Sequence, residues 1–181
     1  MSGSASLFRI GGSGVIENVQ TARGGGAGDT QITLTPGAKS GSVTVTASAA
    51  LFTSGMVGQL LAIKDEAGLR AAATAYAVGT IFFHNDRGVY RLYRVIKAGT
   101  TAAASMAGTT PDYDTNAPIG ESLDLRDGTC VLRYLGRGRS CWGWGTITAF
   151  TDSTHVTVAI ADDGTLPNVT AALHWRIGEF G

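Results

Sequence analysis

The chain has 181 residues, 44% hydrophobic and only 15% charged, and its 14 Lys and Arg balance 14 Asp and Glu. That length allows one ordinary domain or two small modules. Zero net charge argues against a dedicated nucleic-acid binder, which needs a positive excess, and suits a chain that works within an assembly.

Twenty-six glycines among Thr, Ala, Ser and β-branched residues favour strands and tight turns over a helical bundle. No apolar run reaches the roughly 18 residues of a membrane-spanning helix. The start, MSGSASLFRIGG, lacks the basic region and apolar core of a secretory signal, so synthesis in a cytoplasm is expected. Cys130 and Cys141 are too few for a disulfide framework or a zinc site. They could meet across neighbouring strands; two small buried thiols are the stronger expectation.

Residues 1–30 hold eight glycines and only short apolar pieces, Leu7-Phe8, Ile10 and Val15-Ile16. Such a segment cannot bury enough surface to fold alone. It reads either as a tail or as an extended arm, hinged at GGGAG (24–28), whose apolar pairs anchor it on a neighbouring subunit. Strand signals begin at QITLTP. In GSVTVTAS, Val43 and Val45 alternate with Ser42, Thr44 and Thr46, the mark of a half-buried strand. Leu51, Phe52, Met56 and Val57 suggest one helical turn feeding a buried strand over 59–63. GLRAAATAYA (68–77) is ambiguous, because its alanines favour helix but it is short and runs into glycine.

IFFHN, a turn at Asp86-Arg87-Gly88, and VYRLYRVI read as a hairpin. Its second strand points Val89, Arg91, Tyr93 and Val95 one way and Tyr90, Leu92, Arg94 and Ile96 the other. Residues 98–128 are polar and too long for an ordinary connection. CVLRYL, TITAF, HVTVAI and HWRIGEF supply further strands, with turns at 151–154 and 162–164. The expected fold class is all-β, a small barrel or sandwich with a second β-module.

AYAVGTIFFHNDRGVYRLYRVIKAGTTAAA, TTPDYDT and LDLRDGTCVLRYLG together resemble a small module of tailed-bacteriophage virion proteins. The matching places are Ala75-Tyr76, Tyr93, Ala98-Gly99-Thr100-Thr101, Pro111 to Thr115, Asp127-Gly128-Thr129 and Tyr134-Leu135-Gly136. ASMAG (104–108) lengthens the loop relative to that pattern. LFTSGMVGQLLAIKD and WGWGTITAFTDSTHVTVAIADDGTLP…HWRIGEF resemble the halves of a small β-barrel repeat of phage tail and virion-stabilising proteins. The resemblance spans roughly residues 43–180. It implies a discontinuous β-barrel, 31–68 and 137–181, with an inserted β-module, 69–136, and the Gly-rich arm, 1–30, ahead of both.

RGRSCWGWG (137–145) then sits where the chain leaves the inserted module. Trp142 and Trp144 share one face, and large aromatics at such a junction most often pack. The Gly-rich stretches 11–14 and 24–28 lack the Gly-Lys-Ser/Thr and strand–helix frame of a phosphate loop. Asp112, Asp114 and Asn116 begin a calcium loop, but Ala117 and Leu123 fill its glycine and glutamate places. An Asx-rich turn fits better. His84, His155 and His174 are scattered; His155 and His174 could lie on adjacent strands, with no third ligand apparent. Asp162 and Asp163 read as a solvated turn. No serine elbow or cysteine–histidine context for an enzyme occurs.

Arg87, Arg91, Arg94, Lys97, Arg133, Arg137 and Arg139 make the inserted module locally basic. They are either a solvated face balanced by nearby acids or a contact for an acidic protein or glycan. The resemblance implies a non-catalytic structural protein of the virion, assembled in the host cytoplasm, with no cofactor and no metal. A capsid-decorating cement protein comes first, and a tail, neck or nozzle protein second. The expected partners are further copies of itself, a trimer first, and major capsid or tail proteins, with no membrane and no specific nucleic acid. Leu7, Phe8, Arg87, Arg91, Arg94, Arg137, Arg139, Trp142 and Trp144 are the candidate interaction residues. The competing class is a carbohydrate-binding adsorption module, using Tyr90, Tyr93, Tyr113, Trp142 and Trp144 on a cell-surface glycan.

Overall fold

The computed structural model describes residues 8–10, 16–18, 31–103 and 124–178, and the fold is all-β. Internal contacts divide the chain into two units, 1–65 with 142–181, and 66–141. These boundaries lie a few residues outside the 69–136 insertion expected from sequence. The shift has a local cause. Ala67 N–H donates to the Arg139 carbonyl (2.8 Å), so residues on both sides of the expected boundary already belong to the inserted unit.

Among the described residues the first unit is one eight-stranded sheet. Its strands are β1 (Phe8–Ile10), β2 (Ile16–Asn18), β3 (Leu34–Pro36), β4 (Ser42–Ala47), β5 (Leu60–Glu66), β13 (Ser140–Asp152), β14 (His155–Ile160) and β15 (His174–Gly178). Their spatial order is β1-β2-β15-β5-β13-β14-β4-β3. The sheet curls until Leu34 of β3 bridges Ala172, just ahead of β15, through two backbone hydrogen bonds of 3.0 and 2.9 Å. Trp175 fastens that seam from inside, donating its indole N–H to the Ile32 carbonyl at 2.9 Å.

Alternation along the strands fills the interior. Val43 and Val45 of β4, Leu61 and Ile63 of β5, Val156 and Val158 of β14, and Trp175 and Ile177 of β15 are buried together with Ile32, Leu34, Leu51, Phe52 and Leu166. The helical turn expected near Met56 is a 3-10 turn over Ser54–Met56. Met56 is buried there, whereas Val57 is exposed. Within residues 1–30, the described segments are two strands folded back on each other, Phe8↔Asn18 to Ile10↔Ile16, rather than one extended arm. Leu7 and GGGAG lie outside the described residues.

The inserted unit contains β6 (Gly68–Leu69), β7 (Ala75–Tyr76), β8 (Ile81–Asp86), β9 (Val89–Lys97), β10 (Gly99–Thr100), β11 (Asp124–Asp127) and β12 (Cys130–Arg137). Five form a sheet ordered β11-β12-β9-β8-β6, and β10 pairs with β7. The alanines of 68–77 thus do not form a helix. Their backbone is claimed by Phe83, whose carbonyl accepts from Arg70 N–H, and by β10. The expected β8–β9 hairpin forms, with Phe82 opposite Tyr93 and Asp86 opposite Val89, so Asp86 ends the strand rather than opening the turn.

Its two-residue turn places Arg87 at φ 53° and Gly88 at φ 91°. A two-residue turn with both φ positive suits Asn-Gly, and arginine there carries the left-handed penalty. Arg87→Asn is therefore expected to raise stability by roughly 0.5–1 kcal/mol, and Arg87→Val to lower it, as measured by urea denaturation of the two variants.

Candidate functional site

Several of the described motif residues, Thr100-Thr101 and Asp127-Gly128-Thr129 among them, meet in one place in the inserted unit. Asp127 receives Arg70 Nε at 2.6 Å and Nη2 at 2.8 Å, and its Oδ1 also accepts the Ala102 N–H at 3.0 Å. Arg70 Nη2 donates in turn to the Ala102 carbonyl. Both side chains are almost wholly buried, 4% and 1% exposed. The Asp127 carboxylate holds the Arg70 pKa above its ordinary value.

Around this pair the two threonine motifs interlock. Thr101 Oγ1 accepts from Thr74 N–H and donates to the Ala71 carbonyl, while Thr129 Oγ1 accepts from Thr100 N–H. Gly128, at φ 64°, lies so close to Thr100 that a Cβ would fall 2.2 Å from its carbonyl oxygen. Only glycine fits that approach. Tyr76, Phe82, Tyr93 and Tyr134 run beside it as a chain of tilted ring contacts, with centroids 5.0, 6.3 and 5.7 Å apart. The Ala71 N–H donates to the Tyr76 hydroxyl. The motif residues are the framework of this unit.

The basic residues fare differently from the single surface expected of them. Arg91 is buried, only 6% exposed, with Nε 3.7 Å from Asp86, so it is corrected from contact residue to interior residue. β-Alternation puts it on the same sheet face as Tyr93, as the hairpin pattern required. Arg94 is half-buried. Arg139 lies over the Tyr90 and Phe83 rings at 5.0 and 5.9 Å and 3.5 Å from Glu66. Arg133 makes a cross-strand pair with Asp124 at 2.9 Å. Arg87 and Arg137 are exposed. Arg91, Arg133 and Arg139 face carboxylates or rings, so the balanced reading fits better than a free basic patch. Tyr93 is fully buried and unable to stack on a sugar, and Tyr113 and the calcium-like residues Asp112, Asp114 and Asn116 lie outside the described residues.

In the first unit the WGWG segment is the start of the β13 barrel run. Gly143 and Gly145 face the interior, where a Cβ would come 2.6 Å from the Leu166 side chain and 2.4 Å from the Ala159 carbonyl. Trp142 and Trp144 take the alternate face, half-exposed. There they line a groove of about 340 Å³ with Leu60, Ala62 and Arg176. The Arg176 guanidinium lies 5.2 Å over the Trp142 ring, a cation–π arrangement. Sequence reasoning found the two tryptophans but missed Leu60, Ala62 and Arg176. Strand alternation in LLAIKD and HWRIG marks these three as facing away from the core, but only sheet order makes them neighbours.

The histidines do not assemble. His155 on β14 and His174 on β15 are separated in the sheet by β5 and β13, which corrects the expectation of adjacent strands. His155 Nδ1 sits 3.0 Å from Asp152, whose pKa is drawn down to about 2 by hydrogen bonds from Thr154 and His155. Among the described residues no group of three or more His, Cys, Asp or Glu is placed to hold a metal ion. Cys130 and Cys141 are free thiols, and burial pushes the pKa of each up.

His84 is buried, and its Nε2 has no hydrogen-bond partner. Burial, and then the charge of Arg70, lower its pKa. The unfolded chain therefore binds the extra proton more readily than the folded one. Stability contributed by neutral His84 is full above its ordinary value of 6.5 and declines as the pH falls below it. Urea midpoints at pH 7.5 and 5.0 are expected to differ more in the native chain than in His84→Gln.

No protein-family model matches this chain, and no curated protein matches it. Among the described residues no helix is long and apolar enough to cross a membrane.

Proposed function

We propose that the chain is a non-catalytic structural protein of a tailed-phage virion, an accessory capsid-decorating protein that stabilises the particle through oligomeric contacts. The observation that carries this reading is the interlocked Arg70–Asp127 cluster. The described segments on which the phage resemblance rests, Ala75-Tyr76, Tyr93, AGTT, DGT and Tyr134, converge there. Short, degenerate motifs gain weight when their residues perform one architectural task together. Zero net charge also suits a protein that associates.

The test is to produce particles lacking the chain. A cement role predicts heads that rupture at lower temperature and recover when purified protein is added back. Tailless or leaking heads would move the assignment to the tail, neck or nozzle. Particles that assemble and resist heat normally, and still adsorb and infect, would refute the structural reading.

The second reading is a carbohydrate-binding adsorption module, and the half-exposed Trp142–Trp144 groove with Arg176 favours it. Paired indole faces stack on sugar rings, and a guanidinium reaches hydroxyls or carboxylates. It predicts particles that assemble and resist heat but fail to adsorb. Trp142→Ala with Trp144→Ala would then abolish retention on host-surface polysaccharide.

A further inference from the structure

The barrel seam is shared between two strands. Just ahead of β15, β3 bridges at Leu34↔Ala172, and along the edge of β15 turned away from β5 the strand β2 pairs at Arg176↔Glu17 and Ile177↔Ile16. Ile16 packs against the barrel core. Without β2, the end of β15 would present unpaired backbone groups, which are a template for another strand. The strand that fills the gap belongs to a hairpin of two three-residue strands, far too small to be stable alone. Fifteen residues rich in glycine, 19–33, join it to β3.

From this we infer that the far end of β15 is a strand-accepting site for the β1–β2 hairpin of a second copy of the chain. The same backbone hydrogen bonds and the same Ile16 packing form whether the hairpin comes from its own chain or another. Exchange therefore sacrifices no contact and is decided by concentration alone. A connection of this length holds its own hairpin at an effective concentration of roughly millimolar. Copies crowded on one particle reach that regime. The register, with position 17 opposite 176 and Ile16 opposite Ile177, is the same for a hairpin from either copy. This deepens the proposed self-assembly, naming the surface through which one copy completes the core of the next.

The experiment uses the full chain with Cys141→Ser, Cys130 being fully buried. Glu17→Cys and Arg176→Cys are made as separate variants, refolded together at increasing concentration, and oxidised. Directly opposed residues suit a disulfide. The expected result is a covalent heterodimer in the mixture that grows with concentration and that each single variant, refolded alone, does not form. In the double variant at low concentration the bond closes within one chain. No heterodimer up to about 1 mM, the tether's own effective concentration, overturns the inference, as does a double variant that forms no bond at all. Native mass by light scattering separates this from the broader reading. A trimer without cross-links keeps self-assembly and removes exchange, whereas a monomer without cross-links removes both.

Discussion

Asp127→Ala is expected to destabilise the inserted unit by about 3–5 kcal/mol, the range for breaking a buried ion pair by removing one partner. The arginine left behind is the reason. Arg70 stays buried without the carboxylate that accepts from its Nε and Nη2, and Ala102 N–H loses its acceptor. The pair joins segments far apart in sequence, 57 residues between Arg70 and Asp127 and 25 between Ala102 and Asp127, so no local turn can replace it. Removing both charges is expected to be far milder. Arg70→Met with Asp127→Leu should recover much of the loss, because burying a charged pair costs nearly what the pair returns. Urea denaturation of the four chains closes the double-mutant cycle. Amide hydrogen exchange in β9 and β12 would show that the loss falls on this unit. A loss below 1 kcal/mol in Asp127→Ala would mean that water reaches Arg70 and that the clamp is not the keystone described.

Trp175→Ala is expected to cost the barrel a similar 3–5 kcal/mol. Trp175 is 2% exposed, and its removal leaves a cavity among Ile32, Leu34 and Ile177 beside the seam. It also leaves the Ile32 carbonyl without its donor. Trp175→Phe, which loses the donor but retains most of the apolar bulk, is expected to cost about half as much. Trp142 and Trp144 remain as fluorescent reporters of the same unit. Their unfolding transition should shift to lower denaturant in the order wild type, Trp175→Phe, Trp175→Ala. Equal costs for the two variants would show that the hydrogen bond, rather than the packing, holds the seam.

How much of this was legible in the sequence depends on the range of the interaction. The Val43–Val45 alternation and the 81–97 hairpin are local, and the structure follows their period-two pattern, with the turn tightened from Asp86-Arg87-Gly88 to Arg87-Gly88 because Asp86 still pairs with Val89. GLRAAATAYA misleads because alanine speaks for helix, while the deciding partners, Phe83 and β10, are distant in sequence. RGRSCWGWG could be read as strand start and packing element, but the groove needed β5 and β15 alongside β13, and sheet order is not written in periodicity. The buried state of Arg91 was half legible: its alternation placed it with Tyr93, yet its charge argued for the surface, and Asp86 nearby resolves the conflict. Arg70, the centre of the clamp, carried no signal, since a lone arginine in an alanine-rich stretch looks solvated.

The inserted unit, 66–141, is one continuous stretch, and it leaves the ribosome whole while β5 still lacks β13, β4 lacks β14, and the seam lacks Ala172. Once folded, it holds residues 67 and 139 side by side. The arriving C-terminal strands then face their partners across a gap of a few residues rather than a loose loop of about 70, whose closure would cost more the longer it is. The insertion thereby acts as a clasp on the nascent chain: the early half of the barrel waits, and the module in between brings the late half to it.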